Sequence, residues 1–124
     1  PILLDTHGNL SEGNGYNVFL VSNGVLKTPK DDSILQGVSR GAIYELADRL
    51  GIPVSEEALQ PYDLYTADEA FVTSTSFCIC PVSTINGTPV GTDGVPGPVT
   101  NRLQKAYSGL VGIDIVGQYL ARLE

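Results

Sequence analysis

A glutamate and two glycines stand close together near the start of the chain, in Glu12-Gly13-Asn14-Gly15-Tyr16-Asn17. The glycines allow the backbone to turn tightly next to something bulky, and the carboxylate can accept hydrogen bonds or hold a proton. The segment therefore predicts a loop that presents Glu12 to a ligand. The alternative is an ordinary turn with an exposed glutamate, which is the usual state of that residue.

A second segment, Leu35-Gln36-Gly37-Val38-Ser39-Arg40, runs directly into a helical pattern. The free amides and the positive dipole end of a helix N-terminus bind anions, and the Ser39 hydroxyl is a further donor. This arrangement predicts an anion site at the start of the helix. The alternative is that Ser39 is a plain N-cap without a ligand.

Four hydroxyl residues, Thr73-Ser74-Thr75-Ser76, end an apolar strand that follows Asp68-Glu69. Hydroxyls and backbone amides at a strand end can bind a second set of anionic oxygens. A polar turn at the strand end is the alternative interpretation.

Other residues with reactive side chains are few. His7, the only histidine, lies in a turn-rich stretch without a nucleophile to pair with, so we interpret it as a solvated turn residue. Cys78 and Cys80 are too few ligands for a metal site. Because alternate residues of a strand point the same way, the two predict free thiols in a reducing compartment, the cytoplasm.

Strands and hairpins dominate the elements that position these loops. Asn23-Gly24 and Asn86-Gly87 each lie between β-forming residues, and both residue types tolerate the positive φ of a type I′ turn. The two dipeptides predict two hairpins, with further strands at residues 2–4, 70–73 and 77–82.

Helical periodicity separates the hairpins. Apolar residues spaced at 3.6 predict a helix over 39–50 that begins at Ser39 and ends at Gly51. A linker over 55–60 leads to Pro61, which opens a short helical turn, and Pro98 opens a longer helix. A last helix is expected over about 115–123. This order predicts one α/β (α+β) domain, residues 1–124, with helices packed on a mostly antiparallel sheet.

Composition excludes several classes of function. Lys and Arg number 7 and Asp and Glu 14, a net charge of −7, and no stretch concentrates positive charge against a phosphate backbone. We therefore expect no nucleic-acid partner. The apolar runs fall far short of the roughly 20 residues that span a bilayer, so no membrane partner is expected. The chain has no methionine and starts at Pro1, which leads us to expect a piece of a longer polypeptide.

Taken together, the loops resemble the class IV (fold-type IV) aminotransferases, pyridoxal-phosphate enzymes that include the branched-chain amino acid aminotransferases. The resemblance runs from about Pro1 to Leu110 and rests on an ordered set of motifs: Glu12-Gly13-Asn14-Gly15-Tyr16-Asn17, Gly37-Val38-Ser39-Arg40, Ala67-Asp68-Glu69, Thr75-Ser76 and Gly97-Pro98-Val99-Thr100. It implies the fold of that family's large domain, a pseudo-barrel of hairpins with packed helices.

The resemblance also implies roles for single residues. Glu12 would face the pyridine nitrogen of pyridoxal 5′-phosphate and hold its proton, so that the ring acts as an electron sink for the carbanion at the substrate Cα. Leu35 would pack on the ring face. The Val38 and Ser39 amides, with the Ser39 hydroxyl, would bind the 5′-phosphate at the helix start.

Substrate contacts are implied at the third loop. Thr75 would add a phosphate contact, and the Thr75 and Ser76 amides would donate to the substrate carboxylate. Asn17 would brace the first loop. The substrates implied are an amino acid, branched-chain-like, and a 2-oxo acid.

The family's Schiff-base lysine, also its acid–base group, belongs upstream of Glu12. Lys27, Lys30 and Lys105 do not match it and are interpreted as surface lysines. The resemblance therefore implies no catalytic residue in this chain. It implies the C-terminal part of the cofactor-binding large domain, inactive alone, whose partners are the N-terminal part of the same enzyme and a second subunit in a homodimer or larger assembly.

Departures from the family pattern leave the substrate open. Tyr16 stands where branched-chain enzymes have Glu and R-selective amine transaminases have an aromatic residue, Gln36 replaces a usual Pro, and Ser74 a usual Gly. An R-selective amine transaminase, a D-amino acid transaminase and an aminodeoxychorismate lyase are alternatives within the family. A non-catalytic anion-binding α/β module is the alternative from another class.

Overall fold

The computed structural model describes residues 1–30, 34–35, 37–91 and 94–123, so Gln36 lies outside the described residues. Among the described residues the helices are α1 (Val38–Leu50), α2 (Pro61–Tyr65), α3 (Pro98–Val111) and α4 (Ile115–Leu123). The strands are β1 (Ile2–Leu4), β2 (Leu10–Gly13), β3 (Asn17–Ser22), β4 (Val25–Pro29), β5 (Val54–Glu57), β6 (Glu69–Ser74), β7 (Cys78–Pro81), β8 (Thr84–Ile85) and β9 (Thr88–Pro89).

Five strands form the central sheet, in the order β5-β4-β3-β6-β7. All neighbours in it are antiparallel except β4 and β5, while β1–β2 and β8–β9 form separate antiparallel pairs. Both hairpin predictions are confirmed: Asn23 and Gly24 have φ of 51° and 75°, and Asn86 and Gly87 have φ of 50° and 81°. The mixed α+β class with a mostly antiparallel sheet is confirmed as well.

The prediction of a linker over 55–60 is wrong in part, because β5 occupies Val54–Glu57. This strand pairs in parallel with β4, with Leu26 opposite Val54. Parallel neighbours need a crossover, and here α1 provides it. The residues of β5 are weak β-formers, so this strand forms because it pairs with β4, from which α1 separates it in the sequence.

Helix α1 begins one residue earlier than predicted, and its N-cap is Gly37 and not Ser39. Gly37 has extended φ and ψ of −70° and 152°, so the helical conformation starts at Val38 and Ser39 lies inside the first turn. The end of the helix is as predicted, because Gly51 adopts the left-handed conformation with φ of 71°.

The core lies on both faces of the central sheet. On one face α1 and α3 pack against Phe19 and Phe71, whose rings stack with centroids 5.1 Å apart. On the other face Leu20 and Ala70 contact a second cluster around Leu59 and Leu64. The period-two alternation of β3 thus fixes which side chains face the helices.

Two of the motifs quoted above meet in the structure and hold α3 in place. Glu69, the first residue of β6, is 7% exposed and accepts hydrogen bonds from the amides of Val99 (3.0 Å) and Thr100 (2.8 Å). Those amides begin α3, where no residue of the helix accepts them. The carboxylate thus caps α3, a role that the sequence motif alone does not indicate.

His7 lies between β1 and β2, and the two cysteines lie on β7. His7 is exposed in a turn where Asp5 accepts backbone hydrogen bonds, and the bond from Asn9 is the main cause that lowers the pKa of Asp5. Cys78 and Cys80 are free thiols on β7. Across the described residues, no helix combines the length and apolar character needed to cross a bilayer.

Partial burial raises the pKa of the Cys80 thiol. Because the thiolate is the reactive form, we expect iodoacetamide to modify Cys80 of a Cys78→Ser variant only at higher pH than it modifies a cysteine in an unstructured peptide. Mass spectrometry of the modified fraction across a pH series measures this shift. The same variant unfolded in urea is the control, and identical pH profiles for its folded and unfolded forms would contradict the prediction.

Candidate functional site

The three loops singled out in the sequence converge on one cavity of about 220 Å³. Its lining residues come from the turn between β2 and β3, the start of α1 and the end of β6: Glu12, Gly15, Tyr16, Asn17, Leu35, Gly37, Val38, Ser39, Thr73, Ser74 and Thr75. The structure thus brings together Glu12, Leu35, Val38, Ser39 and Thr75. Ser76 is not among the lining residues.

Glu12 is held from one side by two donors. Its Oε2 accepts a hydrogen bond from the Leu35 amide at 3.0 Å and one from Asn17 Nδ2 at 3.4 Å. Asn17 Nδ2 also donates to the Leu35 carbonyl at 3.0 Å. The buried Asn17 side chain therefore fixes both the carboxylate and the loop that carries Leu35.

The start of α1 has the features of an anion site. Its N-cap makes no side-chain hydrogen bond to the helix, and its first turn contains no acidic residue. Helix geometry leaves the first amides, those of Val38 and Ser39, without intrahelical acceptors. The Ser39 side chain is buried, with its hydroxyl 3.5 Å from the Tyr107 hydroxyl.

Two large apolar side chains are exposed beside this helix start. Leu35 is 77% exposed and Val38 is 81% exposed. Apolar side chains that stand this far out of a folded chain, next to a carboxylate and free amides, are typical of a surface that a ligand or another segment covers.

Gly37 lies so close to Asn17 that a side chain there would displace it. A Cβ on Gly37 would stand 2.8 Å from Asn17 Oδ1, whereas a Cβ on Gly41 would have no neighbour within 4 Å. We therefore expect Gly37→Ala to lower the free energy of unfolding by about 1 kcal/mol, in the range of overpacking.

Gly41→Ala is the matched control in the same helix. It is expected to raise the free energy of unfolding by about 0.5–1 kcal/mol, because alanine is the better helix former. Urea denaturation of both variants measures the difference. Equal effects of the two substitutions would show that the contact with Asn17 carries no energy.

The hydroxyl loop, Thr73-Ser74-Thr75-Ser76, contributes its first three residues to the lining of the cavity. Thr73 and Thr75 both line the cavity, but Thr75 is exposed, whereas Thr73 is 1% exposed and its Oγ1 has no hydrogen-bond partner among the described residues. The Ser76 amide donates to Ser74 Oγ at 3.2 Å. Ser76 could therefore donate to a substrate carboxylate only by giving up that bond.

Tyr16 is folded back onto its own loop. Its ring lies where a Cβ on Gly13 would be, and its hydroxyl donates to the Pro1 carbonyl at 2.7 Å. Glycine at position 13 is therefore required by the ring. The aromatic side chain forms one wall of the cavity next to Glu12.

Arg40 anchors the first turn of α1 from behind. It is 4% exposed, and its Nη2 donates to Tyr44 Oη (3.0 Å), the Pro29 carbonyl (3.3 Å) and Glu56 Oε1 (3.3 Å). This network ties the helix start to β4 and β5. The sequence does not indicate this network, because Glu56 lies in β5, in the stretch that the sequence pattern predicts as a linker.

The lysines lie elsewhere. Lys27 pairs with Glu57 at 3.6 Å on the neighbouring strand, and Lys30 and Lys105 are exposed. None of them is among the lining residues of the cavity. Within the described part of the chain no group of three or more potential ligands could hold a metal ion.

A larger cavity of about 610 Å³ lies between β7, α3 and α4. Its walls are mostly apolar, including Phe77, Ile79, Val116 and Leu120. We favour the smaller cavity as the functional site, because it combines a carboxylate, helix amides without intrahelical acceptors and a hydroxyl that no described residue pairs with.

Comparisons with known proteins match this part of the chain. A family model described as amino-transferase class IV matches residues 1–85, which include all three loops. The branched-chain-amino-acid aminotransferase of Escherichia coli (strain K12) is 48% identical over 110 residues, 88% of this chain and 35% of that protein. The chain thus spans about a third of the length of the curated relatives that it matches.

Solved structures are similar over the same share of the chain. The branched-chain amino acid aminotransferase from Escherichia coli has a TM-score of 0.84 at 47% identity, covering 88% of this chain and 37% of that one. The T.th. branched-chain amino acid aminotransferase with pyridoxamine 5′-phosphate has a TM-score of 0.83 at 35% identity, covering 90% of this chain and 37% of that one.

Proposed function

The chain belongs to the class IV amino-transferases, and from this premise we propose that it forms the C-terminal part of the large domain of a pyridoxal-phosphate-dependent aminotransferase. The proposed reaction moves an amino group between a branched-chain-like amino acid and a 2-oxo acid. One observation carries the proposal: the Glu12 carboxylate and the free N-terminal amides of α1 share a single cavity.

The donor set of the cavity fits this cofactor. A phosphate ester suits an uncapped helix N-terminus without acidic residues in its first turn. An aromatic ring suits the exposed apolar side chains of Leu35 and Val38. A protonated ring nitrogen suits a carboxylate whose hydrogen bonds from the described residues all reach Oε2, which leaves Oε1 for the ring.

Each residue of the cavity then has a proposed role. Glu12 holds a proton at the ring nitrogen, and Asn17 together with the Leu35 amide keeps its carboxylate in place. The Val38 and Ser39 amides, the Ser39 hydroxyl and Thr75 bind the phosphate. When bound, pyridoxal phosphate supplies an electron sink for the bonds broken at the substrate Cα.

Substrate binding is proposed at the hydroxyl loop and the ring face. Leu35 packs on the ring and excludes water there. The Thr75 amide, and the Ser76 amide once it releases its hydrogen bond to Ser74 Oγ, orient the substrate carboxylate. The acid–base lysine is proposed to come from residues that precede Glu12 in the complete polypeptide. We further propose that the complete enzyme is a homodimer in the cytoplasm. This chain without the rest of the polypeptide is proposed not to transaminate.

Tyr16 favours a second substrate class. Its aromatic ring lines the cavity beside Glu12, where a carboxylate stands in the branched-chain pattern. An R-selective amine transaminase, which has an aromatic residue at this position, is therefore the second candidate.

The test uses the complete polypeptide that carries this chain. It is purified, scanned for the visible absorbance band of bound pyridoxal phosphate, and assayed with L-leucine, D-alanine and a chiral aryl amine, with a 2-oxo acid as acceptor. Turnover of L-leucine supports the branched-chain proposal, and turnover of the aryl amine alone supports the second candidate. Absence of the absorbance band would overturn both and favour a non-catalytic anion-binding module.

A further inference from the structure

Thr73 carries a hydroxyl for which the described residues supply no partner. Thr73 is 1% exposed, its Oγ1 makes no hydrogen bond to the described part of the chain, and it lines the same cavity as Glu12 and Ser39. Buried polar groups in native proteins are nearly always paired. An unpaired one in a cavity wall therefore points to a partner that occupies the cavity.

The register of the sheet locates this hydroxyl within the site. Thr73 on β6 lies directly opposite Asn17 on β3, whose amide holds Glu12, and it precedes Thr75 by two residues. Thr73 thus lies between the residues that hold the Glu12 carboxylate and those proposed to hold the phosphate.

We propose that the Thr73 hydroxyl is a further binding group for the cofactor's 5′-phosphate, donating to a phosphate oxygen directly or through one buried water. The inference rests on the proposed function, because it requires pyridoxal phosphate in this cavity. The ring nitrogen is already assigned to Glu12. The phosphate carries several charged acceptor oxygens and can take a further donor beside the two amides, the Ser39 hydroxyl and Thr75.

Thr100 is a matched control within the same chain. Thr100 is 0% exposed, its Oγ1 likewise has no partner within the described ranges, and it lies in the first turn of α3, outside the lining of the cavity. Thr→Val at either position removes one unpaired buried hydroxyl and keeps the side-chain shape. Both variants should therefore raise the melting temperature of the cofactor-free protein.

The experiment measures affinity with two probes in the complete polypeptide. Thr73→Val should bind pyridoxal 5′-phosphate about tenfold more weakly, the loss of one hydrogen bond to a charged group. It should bind pyridoxal, which lacks the phosphate, as the unmodified protein does. Thr73→Ser should retain the affinity, and Thr100→Val should change neither binding constant.

Two results would overturn the inference while leaving the proposed function intact. One is an unchanged affinity of Thr73→Val for pyridoxal 5′-phosphate. The other is an equal loss for both probes, which would mean that the substitution acts through the shape of the site. If the unmodified protein binds no pyridoxal 5′-phosphate, the proposed function fails, and the inference fails with it.

Discussion

Replacing Glu12 with glutamine in the complete enzyme is expected to lower kcat by on the order of 100-fold, the usual effect of removing one electrostatic group from a reacting centre. The affinity for the cofactor should change far less. The reason lies in the hydrogen bonds of the carboxylate, which accepts from the Leu35 amide and Asn17 through Oε2. A glutamine can keep both bonds through its carbonyl oxygen, but its amide cannot hold a proton on a ring nitrogen.

Steady-state kinetics together with a cofactor titration measure the two effects separately. Glu45→Gln is the control, because Glu45 is an exposed carboxylate on α1 that pairs only with Arg49 in the ion pairs found among the described residues. Its kcat should equal that of the unmodified enzyme. A Glu12→Gln enzyme with unchanged kcat would remove the proposed role of the carboxylate, even if cofactor affinity had fallen.

Much of the site was predictable because its signals are local. Asn23-Gly24 fixes the hairpin that places β3 beside β4, and the glycine at position 51 fixes where α1 ends. The three loops can be predicted from their own residue types, without knowledge of which distant residues they contact. Their convergence on one cavity follows from the antiparallel pairing of β3 with β6, which brings Asn17 opposite Thr73.

What the sequence did not predict depends on distant pairing. Strand β5 exists because β4 lies beside it, and Arg40 is satisfied by Glu56 only after that pairing has formed. The N-cap of α1 is Gly37 and not the predicted Ser39. A serine hydroxyl favours the cap position but does not determine where the helical backbone begins. The burial of Thr73 could not be read from a run of four hydroxyl residues.

Replacing Glu69 with alanine is expected to lower the free energy of unfolding by about 3 kcal/mol, because hydrogen bonds to a charged group contribute about 1.5–3 kcal/mol each and the helix dipole adds to them. The carboxylate is 7% exposed and accepts from the Val99 and Thr100 amides. Without it these amides are left unpaired at the start of α3. Hydrogen exchange measured by mass spectrometry should show faster exchange in the first turn of α3, with denaturant unfolding giving the free energy.

Gly97→Ala tests whether the destabilisation by Glu69→Ala comes from the loss of the capping carboxylate or from the loss of other contacts of the Glu69 side chain. Gly97 is the N-cap of α3, and alanine tolerates its φ of −73°. The Cβ of an alanine at this position, however, would occupy the place of the Glu69 carboxylate. The single substitution should therefore destabilise the protein, and most of that loss should vanish in the Glu69→Ala background, where the space is free. Additive losses in the double variant would mean that the two residues act independently, and the capping role of Glu69 would have to be abandoned.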